Sequence, residues 1–144
     1  MRIRYLIICS LLVACGPEDP ALVGSTRAPI VNGEIDTGHP SVGMVRVGNS
    51  LCTGTLVGYR SVLTAAHCIK SGQQHRFVLG STSYDAKAAI PHGGYDPNDL
   101  GVNDVGVLLL HETPTGVSYS RVYSKAVGYA ASVTLVGFGL TGWE

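Results

Sequence analysis

The chain has 144 residues, enough for one domain with a real core even after a leader is removed. Ten basic and ten acidic residues give a formal net charge of zero. Charge this sparse and balanced argues against a polyanion-binding face, so no nucleic-acid partner is expected. Nineteen glycines, many Val, Thr and Tyr, and almost no Glu/Lys/Ala-rich helical periodicity predict an all-β domain with tight turns.

Residues 1–15 read as a signal peptide. Met1 to Arg4 form a basic start, and Tyr5 to Val13 an apolar run too short to span a bilayer as a helix. Leu12-Val13-Ala14-Cys15-Gly16 resembles the bacterial lipobox, in which cleavage before the cysteine accompanies lipidation of its thiol. The alternative is ordinary secretory cleavage, which Leu12 suits poorly if the cut follows Ala14. Several acyl chains on Cys15 would anchor the protein stably, where one would not. On either route the mature chain is exported: lipid-anchored in a bacterial cell envelope, on the periplasmic or outer-membrane face, or secreted. Contact with a membrane is expected only through Cys15.

Residues 16–29 are rich in Pro, Gly and polar side chains and read as a flexible tether. The domain, 30–144, begins at Ile30-Val31-Asn32-Gly33. Short strands then alternate with turns: Ser41–Val47, Leu51–Val57, Ser61–Ala66, Arg76–Leu79, Tyr84–Ile90 and the apolar Val105–Leu110. The last of these is expected to be buried on both faces or nearly so. Pro91 to Asn103 is a long loop. Short strands in this number, with frequent turns, predict a closed antiparallel barrel, because closure removes exposed edges. After a looser stretch, Ser132–Gly139 reads as one further strand with no partner left for it in these 144 residues.

Of the four cysteines, Cys9 leaves with the leader and Cys15 is the expected lipid site. Cys52 and Cys68 remain as a pair in an oxidising compartment. A disulfide closing a loop of that length contributes about 3 kcal/mol in the chain-entropy model. A metal site on Cys52, His67 and Cys68 is the weaker alternative, since adjacent residues tend to point apart and no fourth ligand has a suitable spacing. No metal and no cofactor is expected.

His67 is a candidate general base, because an imidazole titrates near neutrality. To serve, its ring must be held in one tautomer, normally by a buried carboxylate. Asp104, where the chain enters the core before Val105–Leu110, is a plausible orienter. Ordinary readings stand beside these: a satisfied surface histidine, and an Asn-Asp turn before a strand.

Thr64-Ala65-Ala66-His67-Cys68, preceded by Cys52-Thr53-Gly54-Thr55-Leu56, resembles the histidine region of the chymotrypsin/trypsin family of serine proteases. Asn103-Asp104-Val105-Gly106-Val107-Leu108 is similar to that family's aspartate segment, and Pro91–Asp96 to the loop before it. Ile30-Val31-Asn32-Gly33 resembles the mature N-terminus, and Val136-Gly137-Phe138-Gly139 the Gly-Trp-Gly segment opening the second barrel. The resemblance implies a six-stranded Greek-key barrel, normally packed on a second, with the active site between them. It also implies His67 as general base, Asp104 as triad acid, a Cys52–Cys68 disulfide, and polypeptide substrates once a second barrel is present.

The pattern then breaks. No serine lies in a Gly-Asp-Ser-Gly-Gly context; Ser118, Ser120, Ser124 and Ser132 all lack it. The oxyanion-hole donors that accompany that serine are missing too, and loss of one such donor alone costs about 2.7–4 kcal/mol. As written, the 144 residues are not expected to hydrolyse peptides. Asn32 replaces a glycine, a mild change. Pro29 stands before Ile30 where a basic residue usually marks the activation cut, with Arg27 nearby. Three readings fit: the N-terminal part of an endopeptidase, a non-catalytic homologue acting as an exported binding module, or a barrel completed by another chain. The first is preferred, because His67 and Asp104 are both kept.

Overall fold

The computed structural model describes residues 35–99, 101–128 and 131–138. The expected leader, the expected tether, the expected lipid site Cys15 and the expected mature terminus at Ile30 lie outside the described residues. Within them, six strands run in chain order: β1 (Val42–Val47), β2 (Ser50–Leu56), β3 (Ser61–Thr64), β4 (His75–Leu79), β5 (Thr82–Pro91) and β6 (Gly106–Leu110). All pairings are antiparallel, and they close into a barrel in the order β1-β2-β3-β6-β5-β4. The expected all-β barrel is therefore present.

Period-two alternation builds the interior. Val45 and Val47 of β1, Leu56 of β2, Val62 of β3, Phe77 and Leu79 of β4, and Leu108 and Leu110 of β6 point inward and form one buried cluster. β5 contributes smaller groups, Ala86 and Ala89, on either side of a register shift between Ala86 and Ala88. On β6 one face is fully buried and the other half-covered, so its continuous apolar run reflects a strand flanked closely by two others. Gly54 marks the tightest point. A Cβ there would lie 2.7 Å from methyls of both Val45 and Val62, two stiff, fully buried side chains, so the position admits only glycine.

Buried polar groups find partners. Thr64 Oγ1 donates to the Thr53 carbonyl at 2.8 Å, tying the end of β3 to β2. His75, buried at the start of β4, accepts the Lys70 N–H at 3.1 Å and so holds the loop after Cys68 against the barrel.

Two expected strands differ. β3 stops at Thr64, and Ala66–Cys68 forms a 3-10 turn in place of two more strand residues. The cause is a carboxylate from elsewhere in the chain, described below. Ser132–Phe138 carries no strand pairing, and Val133 and Leu135 are 70% and 77% exposed. A strand needs a neighbour for its backbone groups, and closure of the barrel uses every edge among the described residues. This segment is instead pinned at one point, where the Phe138 N–H donates to Thr53 Oγ1 at 2.8 Å. Nearer the barrel, Ser120 is tied by its N–H to the Leu56 carbonyl at 2.9 Å and by its hydroxyl to Ser41 at 2.7 Å.

Candidate active site

The 3-10 turn Ala66–Cys68 carries His67 at the barrel mouth. Its residues divide by face: Ala66 and Cys68 are buried, and His67 is exposed. Two bonds close the turn from within, Cys68 N–H to the Ala65 carbonyl at 3.2 Å and Ile69 N–H to the Ala66 carbonyl at 2.9 Å. The first amides of the turn have no such partner, as at the start of any helix, and no side chain of Ala65 caps them.

Asp104 fills that gap. Its Oδ1 accepts the His67 backbone N–H at 2.9 Å, and its Oδ2 accepts from His67 Nδ1 at 2.7 Å. One carboxylate thus fixes both the main chain and the ring of one residue. With Nδ1 donating, Nε2 is left as the basic nitrogen, and it makes no hydrogen bond among the described residues. The pair is shallower than the sequence suggests: the Asp104 side chain is 21% exposed and the His67 side chain 47%.

Asp104 is delivered by its own strand. Gly106 opens β6 directly beneath the turn, where a Cβ would meet Ile69 Cδ1 and lie 3.4 Å from the Ala65 carbonyl oxygen and Ala66 Cα. That close approach lets the residue two positions earlier reach the turn's amides. On the opposite side, the Cys52–Cys68 disulfide links β2 to the end of the turn, with a Cα–Cα distance of 6.3 Å. The ligand atoms of Cys52, His67 and Cys68 do lie within 4.8 Å of one another. The two sulfurs are joined to each other, so neither is a thiolate available to a metal.

Of the sequence-expected residues, the fold brings together His67, Asp104, Cys52 and Cys68. No serine hydroxyl hydrogen-bonds to His67 among the described residues, and Ser120 is engaged with Ser41. Sequence reasoning passed over Asn103 as an ordinary turn residue. It has φ +55°, the left-handed region, and its side chain bonds to the loop after β5. An Asn immediately before the acid was the available signal.

Partial burial pushes the Asp104 carboxyl up. Bonds from the His67 amide and ring, and from the Ala66 amide, outweigh it and leave the group below its ordinary value of 3.8. A depressed folded value means that ionised Asp104 stabilises the fold fully above the unfolded value, and that this is lost as pH falls through the lower folded one. The stability difference between the natural chain and Asp104→Asn, read from urea unfolding, should therefore shrink as the pH falls below about 4. A difference that stays constant to the acid limit of folding would contradict this.

Residues 30–143 match the family model described as Trypsin. Trypsin alpha-4 of Lucilia cuprina is 26% identical over 152 aligned positions, covering 94% of this chain and 59% of that protein. Granzyme M of Homo sapiens is 42% identical over 73 positions, 45% of this chain and 28% of that protein. Among solved structures, HL collagenase superposes with a TM-score of 0.57 at 23% identity, over 67% of this chain and 48% of that one, which is a likeness of fold. This chain thus spans 59% of the length of the longer-matching relative. With the motifs, the closed barrel and the matched residues in agreement, the chain belongs to the trypsin-like serine protease family.

Proposed function

We propose that this chain supplies the base-bearing side of a serine endopeptidase active site, with His67 as general base and Asp104 as its orienter. The observation that carries the reading is the two-point grip of Asp104 on His67. A carboxylate that only capped the turn would need the backbone contact alone; the ring contact also selects the tautomer whose Nε2 can take a proton. In the reaction, Nε2 removes the proton of an attacking serine hydroxyl, the imidazolium so formed is stabilised by Asp104, and the same proton passes to the leaving amine. The 144 residues contain no Gly-Asp-Ser-Gly-Gly, so the serine and the oxyanion donors come from outside them. Polypeptides are the proposed substrates. The disulfide supports function in an oxidising compartment, in keeping with a leader over 1–15, a lipid anchor on Cys15, a tether over 16–29 and a barrel unit beginning at Ile30.

The test is the transcript read downstream of the Glu144 codon. Gly-Asp-Ser-Gly-Gly in any of the three frames supports the reading, and unrelated sequence would favour a non-catalytic exported binding module. In protein carrying that serine, Asp104→Asn is expected to lower kcat about 10⁴-fold at neutral pH. The 144 residues alone should form no adduct with a fluorophosphonate, and a labelled serine among them would overturn the assignment. For the anchor, radiolabelled palmitate should label the chain expressed in a bacterial host, and Cys15→Ser should abolish the label; undiminished labelling in the variant would exclude Cys15.

A further inference from the structure

We infer that Asn103 is a positioning residue, which sets the angle at which Asp104 reaches His67. The inference deepens the proposed role of that pair and rests on it only for its catalytic consequence.

Asp104 does not lie on β6. It precedes the strand, in a tight turn closed by the Val105 N–H donating to the Asn103 carbonyl at 2.7 Å. A carboxylate on so short a turn swings with the backbone of the residue before it. Asn103 fixes that backbone in two separable ways. Its φ of +55° lies in the left-handed region, which Asn tolerates better than most residues with a Cβ. Its Nδ2 donates to the Gly94 carbonyl at 3.0 Å, tying the turn to a loop that is itself braced. The His92 N–H donates to the Val105 carbonyl at 2.8 Å, extending the β5–β6 ladder. The Gly94 N–H donates to His92 Nδ1 at 3.1 Å, and the Tyr95 N–H to the His92 carbonyl at 3.0 Å. The Gly94 carbonyl is therefore a fixed point, and Asn103 transmits that fixity to the carboxylate beside it.

Gly94 fits the same arrangement. A Cβ there would lie 3.0 Å from Asn103 Nδ2, so the small residue keeps the tie open.

The two devices can be removed in turn. Asn103→Gly keeps the left-handed backbone and loses the side-chain tie; Asn103→Ala loses the tie and strains the backbone. The readout is solvent exchange of the His67 Nδ1 proton by NMR in the full chain, at a pH where the ring is neutral, alongside the thermal midpoint. Exchange should be about fivefold faster in Asn103→Gly, the population change expected from one lost hydrogen bond, and faster again in Asn103→Ala. A residue that only stabilised the fold would lower the midpoint and leave that proton unchanged in the folded molecules. Wild-type exchange in folded Asn103→Gly would overturn the inference. If Asn103→Ala does not fold, the glycine variant still decides. Because no substrate or serine enters the measurement, its outcome is independent of whether the pair serves in peptide hydrolysis.

Discussion

The site depends on one carboxylate doing two things at once. Asp104 satisfies the open N–H at the start of a 3-10 turn and accepts from the ring carried by that turn. A histidine on an exposed turn would ordinarily sample several rotamers. Here one carboxylate holds both, the turn's amide through Oδ1 and the ring through Oδ2, so the ring meets a partner already fixed by the backbone. The depressed titration of Asp104 is the electrostatic trace of that double use: the donors on His67 and Ala66 outweigh the cost of partial burial.

Everything around this contact limits motion. The disulfide ties the end of the turn to β2, Gly106 lets β6 nest beneath it, and Thr64 locks the last residue of β3 to Thr53. Below lies a small, dense interior in which Gly54 sits where no side chain fits between two valines. The barrel thus acts as a rigid mount for a pair in which the carboxylate is mostly covered and the imidazole about half exposed. The exposed apolar residues of the last described segment, Val133 and Leu135, are held to the barrel through the Phe138 contact with Thr53.

Much of this was legible in the chain itself. The strands expected over Ser41–Val47 and the apolar Val105–Leu110 are present as β1 and β6, because a closed barrel imposes period two wherever one face is buried. The pairing of Cys52 with Cys68 is expected once Cys9 and Cys15 are read as belonging to a leader and its lipid site, and the two sulfurs are joined. The features that escaped are those set by distant partners. Ala65 and Ala66 continue the apolar pattern of β3, and the carboxylate that caps the turn there lies 37 residues away. Ser132 to Phe138 has a strand's composition, yet strand formation requires a neighbour that composition cannot supply. Asn103 reads as turn chemistry locally, and its tie to Gly94 exists only once β5 and β6 have paired.

The central claim is that the barrel by itself holds His67 in one tautomer through Asp104. The direct measurement is the ¹⁵N chemical shifts of the two ring nitrogens of His67 in the isotopically labelled chain, at a pH where the ring is neutral. The account predicts a protonated Nδ1 and a bare Nε2 in the natural chain, and the proton moved to Nε2 in Asp104→Asn, whose amide can donate to Nδ1. A natural chain whose His67 ring averages between the tautomers, or carries its proton on Nε2, would contradict it.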